Sequence, residues 1–361
     1  MSGNTFGKAF RVTTFGESHG PALGVIIDGM PPRVPFDEAR LAAEMARRRP
    51  GQSKLVTQRQ EADVPEVLSG VFAGRTTGAP LAMLIRNDDT RSRDYDNIKD
   101  LFRPGHADFT YWAKYGHRDH RGGGRSSGRE TAARVAAGAV AAMVLDPHGI
   151  DVWGWTAAVG TIVGERVERS FIEQNPVRAA DPEQAQAMAD AIEAARKDGD
   201  SLGAVVELKA EGVPAGLGEP AFDKLDAAVA AAMMGIGTVK GVEIGAGFAA
   251  AMRRGSENND PFVPGPDGTI RTRTNHHGGI LGGISSGMPI TVRCAIKPTS
   301  SIVLPQDTVD TAGRPVEFRT HGRHDPCIGP RFVPVGEAML RLVLVDFLIR
   351  QLGLDALAPA R

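Results

Sequence analysis

Between residues 103 and 134 the chain sets seven basic side chains (Arg103, Lys114, Arg118, Arg121, Arg125, Arg129 and Arg134) against three acids, Asp108, Asp119 and Glu130. A second basic group, Arg47, Arg48, Arg49, Lys54 and Arg59, lies upstream. The whole chain nearly balances, with 42 Lys and Arg against 43 Asp and Glu, so these are local concentrations and not a general field. A planar guanidinium bonds two oxygens of a phosphate or carboxylate at once. Clustered arginines interleaved with glycine and histidine therefore point to a small polyanionic ligand. Nucleic acid fits poorly, because aromatics make up only 6% of the chain and leave little for base stacking.

Eight of the nine histidines lie in glycine- or arginine-rich loops: His19, His106, His117, His120, His276, His277, His321 and His324. Imidazole exchanges protons near neutrality, and beside arginines its cation is disfavoured until a bound anion restores it. That suits protonation of a leaving phosphate. A metal site is the rival reading, since His321, His324, Asp325 and Cys327 crowd together, but Arg319, Arg323 and Arg331 flank them and would repel a cation. Ser18 sits at the centre of a Gly-x-Ser-x-Gly run at 16–20, the spacing of a hydrolase's nucleophile elbow. The apolar run 23–28 after it reads as a strand, where an elbow needs a helix. The Gly-Gly-Gly-Arg-Ser-Ser run at 122–127 enters an expected helix whose first amides and dipole favour an anion. It lacks the Gly-Lys-Ser/Thr ending of a Walker loop. Gly235, Gly237 and Gly241 follow a helix instead of a strand, which argues against a dinucleotide fold.

Strands are expected at 10–14, 23–28, 64–71, 80–85 and 204–210. Helices are expected at 36–48 with Asp37 as N-cap, at 127–145 with Ser127 and Glu130 as a capping box, and at 182–197 behind Asp181. Two more follow at 222–234 and 334–352, the last closed by Gly353 and apolar enough to be buried on most faces. Glycine is abundant, 44 of 361 residues against a usual ~7%. An internal repeat is expected: His19-Gly20, Leu23-Gly24 and Gly29-Met30-Pro31 return at the same spacing as His277-Gly278, Leu281-Gly282 and Gly287-Met288-Pro289. A second echo pairs Gly70-Val71 and Ala73-Gly74 with Gly212-Val213 and Ala215-Gly216. No linker divides the chain, so residues 1–361 read as one domain. The absence of an apolar run of ~18 residues disfavours a membrane span. Residues 1–12 have no signal-like apolar core, and two cysteines make no disulfide framework; both suit a cytoplasmic protein.

Six segments, taken together, resemble the chorismate synthase family. They are residues 13–20 (Thr-Thr-Phe-Gly-Glu-Ser-His-Gly), 103–108 (Arg-Pro-Gly-His-Ala-Asp), 122–131, 278–285, 297–301 (Lys-Pro-Thr-Ser-Ser) and 322–327 (Gly-Arg-His-Asp-Pro-Cys), in family order. The resemblance implies an α/β (α+β) fold, a β-α-β sandwich with helices between antiparallel sheets, in a homotetramer. It implies 1,4-elimination of phosphate from 5-enolpyruvylshikimate 3-phosphate, giving chorismate, with reduced FMN required although nothing is oxidised overall. NADPH is the reductant source it allows. By the same resemblance His19 protonates the departing phosphate, His106 protonates or steadies the reduced flavin, and Asp325 relays the C6 proton through the flavin N5. Ser18 and Ser127 polarise or position these groups. FMN contacts fall at Arg125, Ser126 and Ser127, at Gly237, Thr238 and Gly282, and at Lys297, Pro298, Thr299, Ser300, Ser301 and Arg323. Arg48, Lys54 and Arg129 meet the substrate or reduced nucleotide. Departures from the family pattern are Gly237-Thr238 in place of Asn-Ala, Lys54 in place of arginine, Gly128 in place of alanine and Phe109 in place of tyrosine. A non-catalytic phosphometabolite-binding protein and an NADPH-dependent oxidoreductase are the alternative readings.

Overall fold

The computed structural model describes residues 3–51, 62–87, 98–320 and 324–359. In chain order the first half runs β1 (Thr5–Phe6), β2 (Arg11–Gly16), β3 (Ala22–Asp28), α1 (Glu38–Arg48), β4 (Pro65–Ser69), β5 (Val71–Phe72), β6 (Arg75–Thr76), β7 (Leu81–Arg86), α2 (Asp108–Tyr115) and α3 (Thr131–Leu145). The second runs β8 (Asp151–Val159), β9 (Ile162–Val163), α4 (Ala185–Lys197), β10 (Ala204–Glu211), α5 (Leu225–Met234), β11 (Val239–Ile244) and α6 (Gly255–Asn258). Then come β12 (Phe262–Pro264), β13 (Ile270–Thr272), β14 (Ile280–Leu281), β15 (Ile284–Ser285), β16 (Ile290–Ile296), β17 (Gln306–Val309), β18 (Pro315–Phe318) and α7 (Gly329–Asp355).

Two five-stranded antiparallel sheets result, ordered β1-β2-β3-β7-β4 and β9-β8-β10-β16-β11. Alternation in β10 turns Ala204, Val206, Leu208 and Ala210 inward, and Ile290, Val292, Cys294 and Ile296 of β16 do the same. These inner faces close on helices: α3 packs on β3, α7 on β8 and β10, and α3 on α7. The result is the sandwich with central helices, and one buried cluster runs through Val25, Ala136, Val343 and Leu208 from sheet to sheet. Asp346 of α7 accepts the N–H groups of Lys8, Ala9 and Phe10 at 2.7, 2.6 and 2.9 Å, pinning the chain start to the central layer.

The repeat is real, but its register differs from both sequence pairings. The matching elements are β3 with Gly29-Met30-Pro31 against β10 with Gly212-Val213-Pro214, and the β5–β6 hairpin leading to β7 against the β14–β15 hairpin leading to β16. Thr76 Oγ1 donates to Pro31 O and Ser285 Oγ to Pro214 O, each at 2.6 Å. The same hydroxyls accept from Val34 N at 3.0 Å and Leu217 N at 2.8 Å. Gly287-Met288-Pro289, paired by sequence with Gly29-Met30-Pro31, instead precedes a strand, as Gly78-Ala79-Pro80 does before β7. Gly70 answers to Gly279, not Gly212: Thr77 N donates to Gly70 O and Ser286 N to Gly279 O.

Other boundaries moved for local reasons. The helix expected from 127 begins at Thr131, after two 3₁₀ turns at Gly124–Ser126 and Gly128–Glu130. Ser127 caps the second turn through Arg129 N, but Glu130 does not close a capping box; it takes hydrogen bonds from Thr14 and Arg134. The last helix starts at Gly329, five residues early, and runs through Gly353 to Asp355. Pro334 lies inside it, and the carbonyl of Pro330, left without an i+4 donor, accepts from Arg178 Nη1 at 2.7 Å. Strand β8, buried along most of both faces, carries no alternation for the sequence to show.

The contact between α3 and α7 is set by Gly138, where a Cβ would stand 2.4 Å from that of Ala338. Gly138→Ala is expected to lose about 2 kcal/mol of unfolding free energy in urea, since overpacking outweighs a helix-propensity gain of about 1 kcal/mol. A variant as stable as its parent would show that this crossing tolerates displacement.

Candidate active site

Loops of both halves line a cavity of about 550 Å³. The first half supplies the β2–β3 turn, the end of α1, residues 103–107 and 122–131, and Arg134. The second supplies residues 235–238, Lys297, residues 299–301, Asp325 and the first turns of α7. Among the described residues seven cations, Arg48, Arg103, Arg125, Arg129, Arg134, Arg331 and Lys297, face it against two carboxylates, Glu130 and Asp325. His19, His106 and His324 stand on the same lining.

His19 projects from a tight turn between antiparallel strands. Asn87 Nδ2 donates to Glu17 O and Gly20 O at 3.0 and 2.8 Å and so locks that turn. Ser18 is fully buried, with its Oγ 3.0 Å from His19 Nδ1. A Cβ at Gly122 would meet His19 Nδ1 at 2.4 Å and Ser18 Oγ at 2.8 Å, and its φ of +69° is left-handed, so only glycine lets the 122–127 loop lie against the pair. The hydrolase reading of Ser18 fails here: a strand follows it, and its hydroxyl is shielded.

His106 is held through Nδ1, 3.1 Å from Asp108 Oδ1 and 3.1 Å from Arg103 Nη2. Arg103 grips Asp108 bidentately at 2.7 and 2.8 Å and donates to Gly122 O at 2.7 Å. Burial alone would raise the Asp108 carboxyl, but hydrogen bonds from Arg103 and His106 hold it far below the usual range. An ionised Asp108 assigns the Nδ1 hydrogen to that contact and leaves Nε2 as the basic nitrogen, beside Gly123. Burial, opposed by Asp108 and reinforced by Arg103, keeps His106 below the ordinary imidazole value, so it rests neutral at pH 7.

Arg48 and Arg129 share one carboxylate behind the wall. Arg48 Nη1 meets Asp63 Oδ2 at 2.8 Å, and Arg129 Nη1 bonds Asp63 Oδ1. Arg331 holds Asp325 at 2.6 Å. Burial pushes the neighbouring Cys327 thiol up to about 12, so it stays protonated in this wall.

The opposite wall is polar and short of partners. Thr238 Oγ1, Thr299 Oγ1 and His324 Nε2 are buried with no hydrogen bond among the described residues, and all three residues line the cavity. Lys297 N donates to Thr238 O at 2.9 Å and its Nζ to Gly105 O at 3.2 Å, joining this wall to the His106 loop. Orphaned hydroxyls and an imidazole nitrogen facing a cavity fit a large polar ligand such as a flavin mononucleotide.

Of the residues read from sequence, His19, His106, Asp325, Arg125, Ser126, Ser127, Gly237, Thr238, Lys297, Thr299, Ser300, Ser301, Arg48 and Arg129 line this cavity, and Ser18 backs it. Gly282 does not; it lies exposed at the β14–β15 turn, and Pro298 is likewise off the lining. Lys54, Arg59, His321 and Arg323 fall outside the described residues. The expected anion site at a helix start is altered, because Ser126 N, Ser127 N and Glu130 N are spent inside the 3₁₀ turns. Sequence reasoning missed Asp63 and Asn87, which carry no local signal; His324, one of the loop histidines singled out in the sequence, stands on the lining.

A chorismate synthase family model matches residues 10–349. The chain is 57% identical over 351 residues to chorismate synthase of Chloroflexus aurantiacus, covering 97% of this chain and 96% of the relative. It is 58% identical over 357 residues to that of Methanocella arvoryzae, covering 97% and 95%. A crystal structure of chorismate synthase superposes with a TM-score of 0.78 at 33% identity, over 96% of this chain and 94% of the other. Sandwich, cavity and full-length identity agree, and the chain belongs to the chorismate synthase family.

Proposed function

We propose that this chain eliminates phosphate from 5-enolpyruvylshikimate 3-phosphate to form chorismate, with reduced FMN bound beside the substrate. The observation that carries the reading is the cavity's charge, seven cations against two carboxylates with three imidazoles among the described residues that line it. The substrate brings a phosphate and two carboxylates, and fixed guanidinium forks suit all three. Arg48 and Arg129, anchored from behind by Asp63, hold anionic groups of the substrate. Breaking the C–O bond leaves its electron pair on the phosphate, and His19, oriented by Ser18, supplies the proton that phosphate takes up. Asp325, set by Arg331, receives the proton lost from C6. When bound, reduced FMN would supply the transient electron donation that weakens the C–O bond, with no net oxidation overall. Arg125, Ser126, Ser127, Thr238, Lys297, Thr299, Ser300 and Ser301 would hold it, and His106 would accept a hydrogen bond from it through Nε2 or, once a bound anion has charged the ring, give it a proton; contacts to it from Gly237, Gly282, Pro298 and Arg323, and from Lys54 to the substrate or reduced nucleotide, remain part of the proposal. NADPH is the proposed reductant source.

We also propose one domain, a cytoplasmic location and a homotetramer. Exposed Phe72, Phe222, Phe248 and Met252 favour burial between subunits, and no helix among the described residues is long and apolar enough to cross a membrane.

Anaerobic mixing with substrate and reduced FMN should release phosphate and chorismate in equal amounts; folded protein giving neither product sinks the reading. His19→Ala and His106→Ala should each lower kcat by about 10²–10⁴-fold with the circular dichroism spectrum unchanged. A rate like the parent's removes that residue from the chemistry.

His324 gives a pH signature. Burial, then Arg103, brings it down to about 4, while an unfolded chain takes that proton near 6.5. Between these values the unfolded state binds more protons, so stability is full above the upper value and falls on acidification. His324→Asn should reduce the stability lost between pH 7 and pH 5 by about 2 kcal/mol, read from urea midpoints at each pH. An undiminished loss would mean the imidazole is protonated in the native state.

A further inference from the structure

We propose that Asp63 is a positioning residue for the reaction: it never touches substrate, but sets Arg48 and Arg129 as one clamp for the substrate's anionic groups. The proposal rests on the reading above. Asp63 is not on the cavity lining; its side chain is fully buried behind it, against side chains of Arg48 and Arg129 that are 2% and 3% exposed. Each oxygen of the one carboxylate serves a different guanidinium. The far ends of both forks are also tied: Arg48 Nη2 donates to Gly128 O at 2.8 Å, and Arg129 Nε to Asn87 Oδ1 at 3.0 Å. Asn87 is the residue that locks the His19 turn, so the clamp and the proposed phosphate acid are braced by one side chain. Asp63 also holds a left-handed φ of +51°, a conformation that costs a residue other than glycine and persists only where surrounding contacts impose it.

Asp63 stands between two desolvated guanidiniums, which without it would repel at close range.

Among the described residues the charged groups that act most on Arg48 are Asp63, Arg129 from the adjacent turn and Arg331 from α7. Burial, opposed by Asp63 and reinforced by Arg331 and Arg129, already brings Arg48 down to about 10. Removing the carboxylate charge takes away the one group in that set that holds the proton on.

The test is calorimetric titration of 5-enolpyruvylshikimate 3-phosphate into FMN-loaded full-length protein between pH 7 and pH 9.5. Asp63→Asn should weaken substrate binding about 10- to 100-fold at pH 7 and add an alkaline decline in affinity absent from the parent, while FMN affinity is unchanged. Asp63→Glu keeps the charge but shifts the fork; it should cost about 3- to 10-fold and show no alkaline decline. Folded Asp63→Asn with parental affinity and pH profile overturns the proposal. If Asp63→Asn does not fold, Asp63→Glu decides: parental affinity there overturns it. Arg48→Ala separates the two levels. Weak binding by Arg48→Ala together with parental binding by Asp63→Asn leaves the functional reading standing and removes Asp63 from it; parental binding by Arg48→Ala overturns both.

Discussion

Like charges crowded out of water are the constraint on which this structure depends. Among the described residues seven cationic side chains share one cavity with two carboxylates, and several of the cations are almost wholly desolvated. Such a set disperses unless each fork is fixed from behind. Asp63 does this for Arg48 and Arg129, Asp108 for Arg103, and Glu130 for Arg134. The carboxylates are thus mostly structural partners in the wall, and the cavity keeps the surplus positive field. A neutral His106 and His324 follow from the same field and from burial.

The repeat supplies the rigidity this arrangement needs. Each half builds a four-stranded antiparallel core, β4-β7-β3-β2 and β11-β16-β10-β8, with a hydroxyl, Thr76 or Ser285, stitching its hairpin to the loop after its central strand. The two long helices α3 and α7 then close against each other at a glycine. Only the first half contributes His19, Arg48 and the 122–131 loop, and only the second contributes Thr238, Lys297 and Asp325. The halves are equivalent as scaffold and complementary as chemistry.

Much of this is legible in the sequence. The 36–48 helix with its Asp37 cap, the strand pair around Gly16-Glu17-Ser18-His19-Gly20 and the buried last helix could be read from caps and periodicity, because local hydrogen bonds and apolar spacing decide them. The loops holding His19, His106, Arg125 and Asp325 could be marked as chemical from residue type alone. What stayed hidden depends on distant contacts. Asp63 gains meaning only when Arg48 and Arg129 come together, 81 positions apart in the chain. The true register of the repeat lies in hydroxyl–carbonyl bonds that identical dipeptides do not reveal. The late start of α3 was misread because Glu130, spaced like a capping residue, is claimed by Thr14 and Arg134. The early start of α7 was masked by Pro334, whose cost is met by Arg178 from another part of the chain.

The sandwiched position of α3 has a consequence for biosynthesis. This helix is buried along nearly its whole length, and α7, which covers one side of it, ends at residue 355. At ordinary translation rates the ribosome needs roughly 10–40 s to make the intervening stretch. Throughout that interval a nascent chain carries an alanine- and valine-rich surface with its cover not yet synthesised. Chaperone demand during translation should therefore concentrate on this window, and truncation before α7 would leave an aggregation-prone stub instead of a stable half-molecule.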